Sequence, residues 1–387
     1  MWELLLLPVA AASGWMAARR HFNKRSVHTR RGWSSGYFQG LNYLLNEEPD
    51  KAIEVFTQIV QIDGETVEIQ LALGNLFRRR GEVSRAIRLH QDIFARPDLN
   101  REQRTQALLE LGQDYMRAGL FDRAESLFLE LIDMDAHRVP ALHYLVDIYQ
   151  QEKDWEKAIA ILQRLGTSTG RSVQPGIAHY FCELAEIDAD KEDYPRARML
   201  LGRALDTDPN CVRASLLENQ IAARIGDYQT AIAALHRVEH QDPDFIGEII
   251  GPLSAGYHAL GMHKELDDYL QGLLGRYHNT SLIIVNAELI RTRSGDLPAI
   301  EFLTTALRQH PSVRGTKRLL TLDITHYQGM VGAHFAVIND LVGQLFADWP
   351  LYCCRHCGFT GKSLHWQCPS CKSWSTVRPI QGVEEIK

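Results

Sequence analysis

The chain carries little of what an enzyme's sequence usually announces. H-E-x-x-H is absent, and Gly361-Lys362-Ser363 ends like a phosphate loop but has His356 where that loop's first glycine belongs. The 16 histidines are scattered and suit solvated helix faces, so none is assigned to a metal. No catalytic constellation stands out, and an enzyme is not expected. An excess of positive charge is missing too: the net charge of −6 gives no reason to expect nucleic acid as a partner. Cysteine is scarce outside one stretch. Five of the seven fall between Cys353 and Cys371, while Cys182 and Cys211 sit in helical patterns and read as small buried apolar residues.

One apolar run reads as a membrane span. Residues 1–18 are apolar apart from Glu3 and Ser13, and Arg19, Arg20, Lys24, Arg25, Arg30 and Arg31 follow. A cleaved signal peptide carries its charge before the apolar stretch, not after it. The positive-inside rule therefore puts the N-terminus outside and the rest of the chain in the cytoplasm. The span is near the ~17-residue minimum, and Trp2 and Trp15 suit its two interfaces. Residues 1–20 are expected to form a single-pass anchor and 21–35 a basic juxtamembrane linker.

From about Gly36 the chain repeats itself. Small residues precede an aromatic by three at Gly40/Tyr43, Gly74/Phe77, Gly112/Tyr115 and, more loosely, Val146/Tyr149. Twelve residues after each pair's first member comes an alanine: Ala52, Ala86, Ala124 and Ala158, continuing with Ala197 and Ala231. Their spacings of 34, 38, 34, 39 and 34 follow the 34-residue tetratricopeptide period of helix–turn–helix units. Only Gly or Ala lets the paired helices approach closely. The large residues four later (Phe56, Phe128, Leu162, Leu201, Leu235) are expected to fill the gap to the neighbouring unit. Gly81, Gly119 and Gly226 mark the turns between paired helices, and Pro209 and Pro243 close units. The longer spacings predict lengthened loops at 96–103 and 167–175. Beyond Gly251 the pattern weakens, although Leu266/Leu270 and Ala299/Leu303/Pro311 keep the register, and helical pairs continue to about 346. The expected fold is an all-α superhelical solenoid of about eight to nine helical pairs over 36–346.

A small module at 350–387 ends the chain. Cys354-Arg-His-Cys357 and Cys368-Pro-Ser-Cys371 are two C-x-x-C knuckles separated by residues 358–367. Four thiolates from two tight turns complete a tetrahedral shell with no open position, which points to a structural or electron-carrying ion. A tail this short cannot fold on its own core, so a bound metal explains the cysteines better than a disulfide or redox pair. Spacing favours zinc, and thiolate softness permits iron. Reduced thiolates agree with a cytosolic position. Trp349, Trp366 and Trp374 offer apolar surface the module cannot bury alone, and it is expected to pack back on the array.

Solenoids of this kind expose a concave surface for partner proteins. Its candidate residues are Asn75, Arg78 and Arg79 on one helix and Gln113, Met116 and Arg117 on the next, followed by Asp147 and Gln150. Cations beside amides suit acidic or backbone-rich segments. Arg78-Arg79-Arg80 equally suits a helix C-terminus, and a solvated face accounts for the same residues. An exposed Arg78 predicts that Arg78→Glu weakens a partner and leaves the fold intact.

Anchor, repeats and ribbon together resemble the lipopolysaccharide assembly protein B (LapB) family of Gram-negative bacteria. The strings ELLLLPVAA, LGNLFRRRGEVSRAIRLHQ and CGFT…HWQCPSCKSWSTVRPI carry the resemblance, which spans essentially the whole chain. It implies a place on the cytoplasmic side of the inner membrane. It also implies a rubredoxin-like domain holding one iron ion on Cys354, Cys357, Cys368 and Cys371. The implied role is that of an adaptor which promotes degradation of the deacetylase LpxC by the membrane protease FtsH and scaffolds other lipopolysaccharide assembly proteins. Homo-oligomerisation stays open. Cys353 departs from the family pattern and places a competing thiol beside a ligand. The alternative from another class is a rubredoxin-like electron-transfer protein docked through its repeats.

Overall fold

The structure, a computed structural model, describes residues 35–62, 67–277, 279–326, 330–346 and 349–380. The expected anchor at 1–20 and all but the last residue of the basic linker lie outside the described residues. Among those described, no helix is long and apolar enough to cross a membrane.

Helices follow one another in pairs: α1 Ser35–Leu45, α2 Pro49–Ile62, α3 Val67–Arg79, α4 Val83–Phe94, α5 Arg101–Ala118, α6 Phe121–Asp133 and α7 Arg138–Glu152. The chain divides into two compact units within α7, between Ile148 and Tyr149. The second unit continues with α8 Trp155–Thr169, α9 Gln174–Asp190, α10 Tyr194–Thr207, α11 Val212–Arg224 and α12 Tyr228–Gln241. After a 3-10 turn at Pro243–Phe245 come α13 Ile246–Ala259, α14 His263–Arg276, α15 Thr280–Ser294, α16 Asp296–Gln309, α17 Val313–His326 and α18 Met330–Leu345.

The repeat register holds at the alanines. Ala52, Ala86, Ala124, Ala158, Ala197 and Ala231 are all buried. Turns between paired helices need a left-handed residue, which Gly81, Gly119 and Gly226 supply at φ 84°, 73° and 80°. Lys153 and Glu192 take that conformation in repeats that lack the glycine (φ 58° and 63°), so the turn outlives its best residue. An aspartate then caps the second helix: Asp154, Asp193 and Asp227 accept from the backbone N–H of Lys157, Arg196 and Thr230.

Two expectations need correction. The ring of Phe56 packs against Gly40, and that of Phe128 against Gly112, so these rings also fill the gap within their own unit, which the spacing did not show. Phe128 also stacks on Tyr144 of α7, with ring centroids 4.9 Å apart. In the second repeat His90 takes the ring's place against Gly74. The segment 167–175 is not all loop either, because α8 runs on through Thr169 before Gly170 turns left-handed at φ 66°.

Three short strands close the described chain: β1 Tyr352–Cys354, β2 Thr360–Gly361 and β3 Val377–Pro379. They form an antiparallel sheet ordered β2-β1-β3, with Cys353 opposite Thr360 and Cys354 opposite Val377. The ribbon's own core holds little beyond Cys354, Cys368 and Val377. Leu364, which also touches that core, and Trp366 pack against the large apolar cluster of the second unit, around Phe245, Ile249 and Leu253.

Candidate metal centre

Two knuckles of matching construction bring the cysteines together. In the first, Cys354 N–H donates to Phe359 O (2.7 Å) and Gly358 N–H to Cys354 O (2.9 Å). In the second, Cys368 N–H donates to Ser373 O (2.9 Å) and Lys372 N–H to Cys368 O (2.9 Å). The residue after each second cysteine is left-handed, Gly358 at φ 75° and Lys372 at φ 59°. Backbone N–H groups of His356 and Cys357 point at Cys354 Sγ, as those of Ser370 and Cys371 do at Cys368 Sγ.

The four Sγ atoms lie within 4.8 Å of one another. Cys354 and Cys371 are 3.8 Å apart, Cys357 and Cys368 3.6 Å. A tetrahedral ion at ~2.3 Å from each sulfur spaces them by about 3.8 Å, so the four cysteines form a metal-binding site that fits such an ion. Thr376 Oγ1 lies 3.2 Å from Cys354 Sγ and can donate to its thiolate. The Ser373 hydroxyl, then His356, draws Cys371 down to about 5. Burial pushes Cys368 up to about 11, which an ion's charge would reverse. Cys353 does not compete. Successive side chains of a strand leave opposite faces of the sheet, and among the described residues Cys353 stands outside the cluster.

The ribbon is seated on the second unit through Trp366 and Trp374, as expected, on array residues most of which no repeat position marks. Trp374 lies between Trp155 (6.5 Å, edge-on), Tyr180 (5.8 Å, edge-on) and His179 (4.9 Å, stacked). Its Nε1 donates to Gln150 Oε1 at 3.1 Å, which also accepts from Gln367 Nε2 at 2.9 Å. Trp366 stacks on Phe245 at 5.5 Å. Polar contacts fix the register: Tyr352 donates to Glu248 (2.9 Å), Arg355 pairs with Asp244 (2.8 Å) and Arg378 with Asp242. Arg213 holds Glu183 and Glu186, each at 2.9 Å, with its guanidinium 5.9 Å from the Trp374 ring. His179 is buried under this seat, its Nε2 2.5 Å from Ser375 Oγ and its Nδ1 without a partner. Burial first, then the charges of Arg213 and Arg378, hold its pKa down at about 3. His90 and His179 are thus core residues, contrary to the solvated faces expected of histidines.

Gln150, expected to face a partner protein, is occupied by the ribbon. Arg78 is turned inward: it pairs with Asp114 (2.8 Å) and Glu110 (2.7 Å) and donates to Gln113 Oε1 (2.9 Å). Asp114 in turn meets His90 Nδ1 at 2.5 Å. The side chain of Arg78 is only 15% exposed, so the expectation that Arg78→Glu would spare the fold fails. Arg79 and Arg117 are exposed, Gln113 is half-buried, and Asn75 Oδ1 is buried without a partner. Cys182 and Cys211 are buried as expected, their sulfurs 3.9 Å apart.

Gly166-Thr167-Ser168-Thr169-Gly170 spells G-x-S-x-G. Yet Ser168 lies in the last turn of α8 and donates to Arg164 O, without the preceding strand that a nucleophile elbow requires.

Fold and site define an all-α tetratricopeptide solenoid that carries a rubredoxin-like four-cysteine ribbon. Residues 352–379 match the family described as rubredoxin metal binding domain, and 71–102, 115–170 and 182–244 match tetratricopeptide repeat families. Lipopolysaccharide assembly protein B of Escherichia coli (strain K12) is 38% identical over 383 residues, covering 99% of this chain and 98% of that protein. Its namesake in Haemophilus influenzae is 34% identical over 389 residues, covering 98% of each. The chain belongs to the lipopolysaccharide assembly protein B family. A solved tetratricopeptide-repeat fragment from Cytophaga hutchinsonii covers 73% of this chain and 99% of its own, at 14% identity and a TM-score of 0.38, too loose a match to argue from.

Proposed function

We propose that this protein is a non-enzymatic adaptor of the inner membrane that limits lipopolysaccharide synthesis by bringing the deacetylase LpxC to the protease FtsH. The observation that carries the reading is similarity to lipopolysaccharide assembly protein B over 99% of the chain. In this reading residues 1–20 cross the membrane with the N-terminus in the periplasm, and repeats and ribbon face the cytoplasm. Confining adaptor and protease to one membrane raises their effective concentration without new contacts. Asn75, Arg79, Gln113 and Arg117 remain candidates for partner contact on the first unit, with Arg78 holding its neighbours in place. Depleting the protein should lengthen the lifetime of the deacetylase; an unchanged lifetime overturns the proposal.

The ion is proposed to be iron, with zinc as the alternative. Bound there, it supplies cross-linking charge to four thiolates and so holds the ribbon in the shape that fits the seat. A second reading, electron transfer, draws on the exposure of Cys357, which brings one ligand to the surface. Cells whose ribbon is filled with zinc and which still regulate the deacetylase would dismiss it.

A further inference from the structure

The ribbon covers the N-terminal part of the face built by α9 and α11, which pack side by side. Toward their C-terminal ends the two helices leave a hollow of about 190 Å³. Glu186 and Asp190, one turn apart on α9, stand on one wall, and Arg224 of α11 on the other, over a floor that includes Leu217 and Ile221. Glu186 Oε2 accepts from Arg213 Nη2 at 2.9 Å. Asp190 and Arg224 are exposed, and among the described residues neither has an ion-pair partner. Charges of both signs thus stand open across an apolar floor. The hollow is smaller than the roughly 300–1,000 Å³ of small-molecule sites, and its size suits a single side chain.

We propose that this hollow anchors an extended segment of a partner protein through one lysine or arginine. The aliphatic stem would lie along Leu217 and Ile221, as such stems do on apolar surface. The charged head would sit at Glu186 and Asp190, where the carbonyl end of α9 adds negative potential. Arg224 would meet a carboxylate of the same segment a few residues away, so recognition requires both signs in one short stretch. This inference rests on the adaptor reading above and gives it a partner chemistry.

A phage-displayed library of random seven-residue peptides, selected on the detergent-solubilised full chain, tests it. The expected winners carry a basic residue within about three positions of an acidic one. Synthetic versions should bind Asp190→Asn at least tenfold more weakly, and selection on Asp190→Lys should no longer enrich basic residues. Asp190 is exposed, so both variants should keep the parent's circular dichroism and melting temperature. Failure to enrich any peptide, winners without a basic residue, or undiminished binding to Asp190→Lys would each overturn the proposal. The outcome is separable from the adaptor reading: a deacetylase lifetime that depends on the protein while no peptide enriches rejects this hollow alone.

Discussion

The imidazole of His179 lies against the indole of Trp374, ring centroids 4.9 Å apart and planes 23° from parallel. One ring belongs to the repeat array and the other to the metal ribbon. This contact makes the joint between them sensitive to protons.

Burial keeps His179 neutral in the folded protein, with its pKa lowered to about 3, whereas a free imidazole titrates near 6.5. Between those values the unfolded chain binds a proton that the folded chain refuses, so stability rises with pH across this window. It is complete above about 6.5 and is lost as pH falls below it. At ~1.36 kcal/mol per unit, going from pH 6.5 to 5 costs about 2 kcal/mol. Urea unfolding at pH 7 and 5 should show the loss, and His179→Gln should flatten it. An equal slope in that variant would put the proton elsewhere.

Replacing Cys354 and Cys357 by serine should release the ion and free Trp366 and Trp374 from their seat, read by metal analysis and tryptophan fluorescence. Cys353→Ser should keep one ion per chain. An absorption spectrum of the purified protein separates ferric tetrathiolate, which is coloured, from zinc, whose filled d shell is silent.

Arg78→Gln should destabilise the first unit by about 3–5 kcal/mol, because it leaves Asp114 and Glu110 buried without their cation. Arg79→Gln and Arg117→Gln, both exposed, should shift stability by less than about 0.5 kcal/mol. Chemical unfolding of the three variants gives the comparison. Parity between Arg78→Gln and the other two would show that the network contributes nothing.

Glycines in two helices should answer oppositely to alanine. A Cβ on Gly112 would stand 2.6 Å from the Phe128 ring, and overpacking of about 1–3 kcal/mol outweighs the ~1 kcal/mol that alanine gains in a helix. Gly202 has nothing within 4 Å, so Gly202→Ala should raise stability by up to about 1 kcal/mol. Thermal melting of both variants decides it, and equal shifts would contradict the packing described.

The array and the four ligands were legible in the sequence because each rests on short spacings. A buried alanine recurs whenever paired helices must touch, and two knuckles declare a tetrahedral site. The seat was not legible. His179 meets Ser375 across 196 positions and Gln150 meets Gln367 across 217, and no periodicity links residues so far apart. Arg78 misled for a different reason. Its acidic partner Asp114 stands 36 positions on, close to one repeat, so reading charges at the repeat offset would have exposed the pair. Spacing placed the Phe56 and Phe128 rings on the right helix face but gave no sign that each also packs on a glycine of its own unit, Gly40 or Gly112, while Phe128 reaches Tyr144 of the next.

Repeats in a solenoid touch only their neighbours and can unzip from either end. The seated ribbon changes that for the stretch from Gln150 to Glu248, since its contacts reach α7, α9 and α13 at once. No repeat in that stretch can open without first lifting the ribbon, so these repeats should melt as a block. During synthesis they leave the ribosome before the two knuckles exist. The block therefore acquires its final cooperativity only after the last strand is made and its ion is in place.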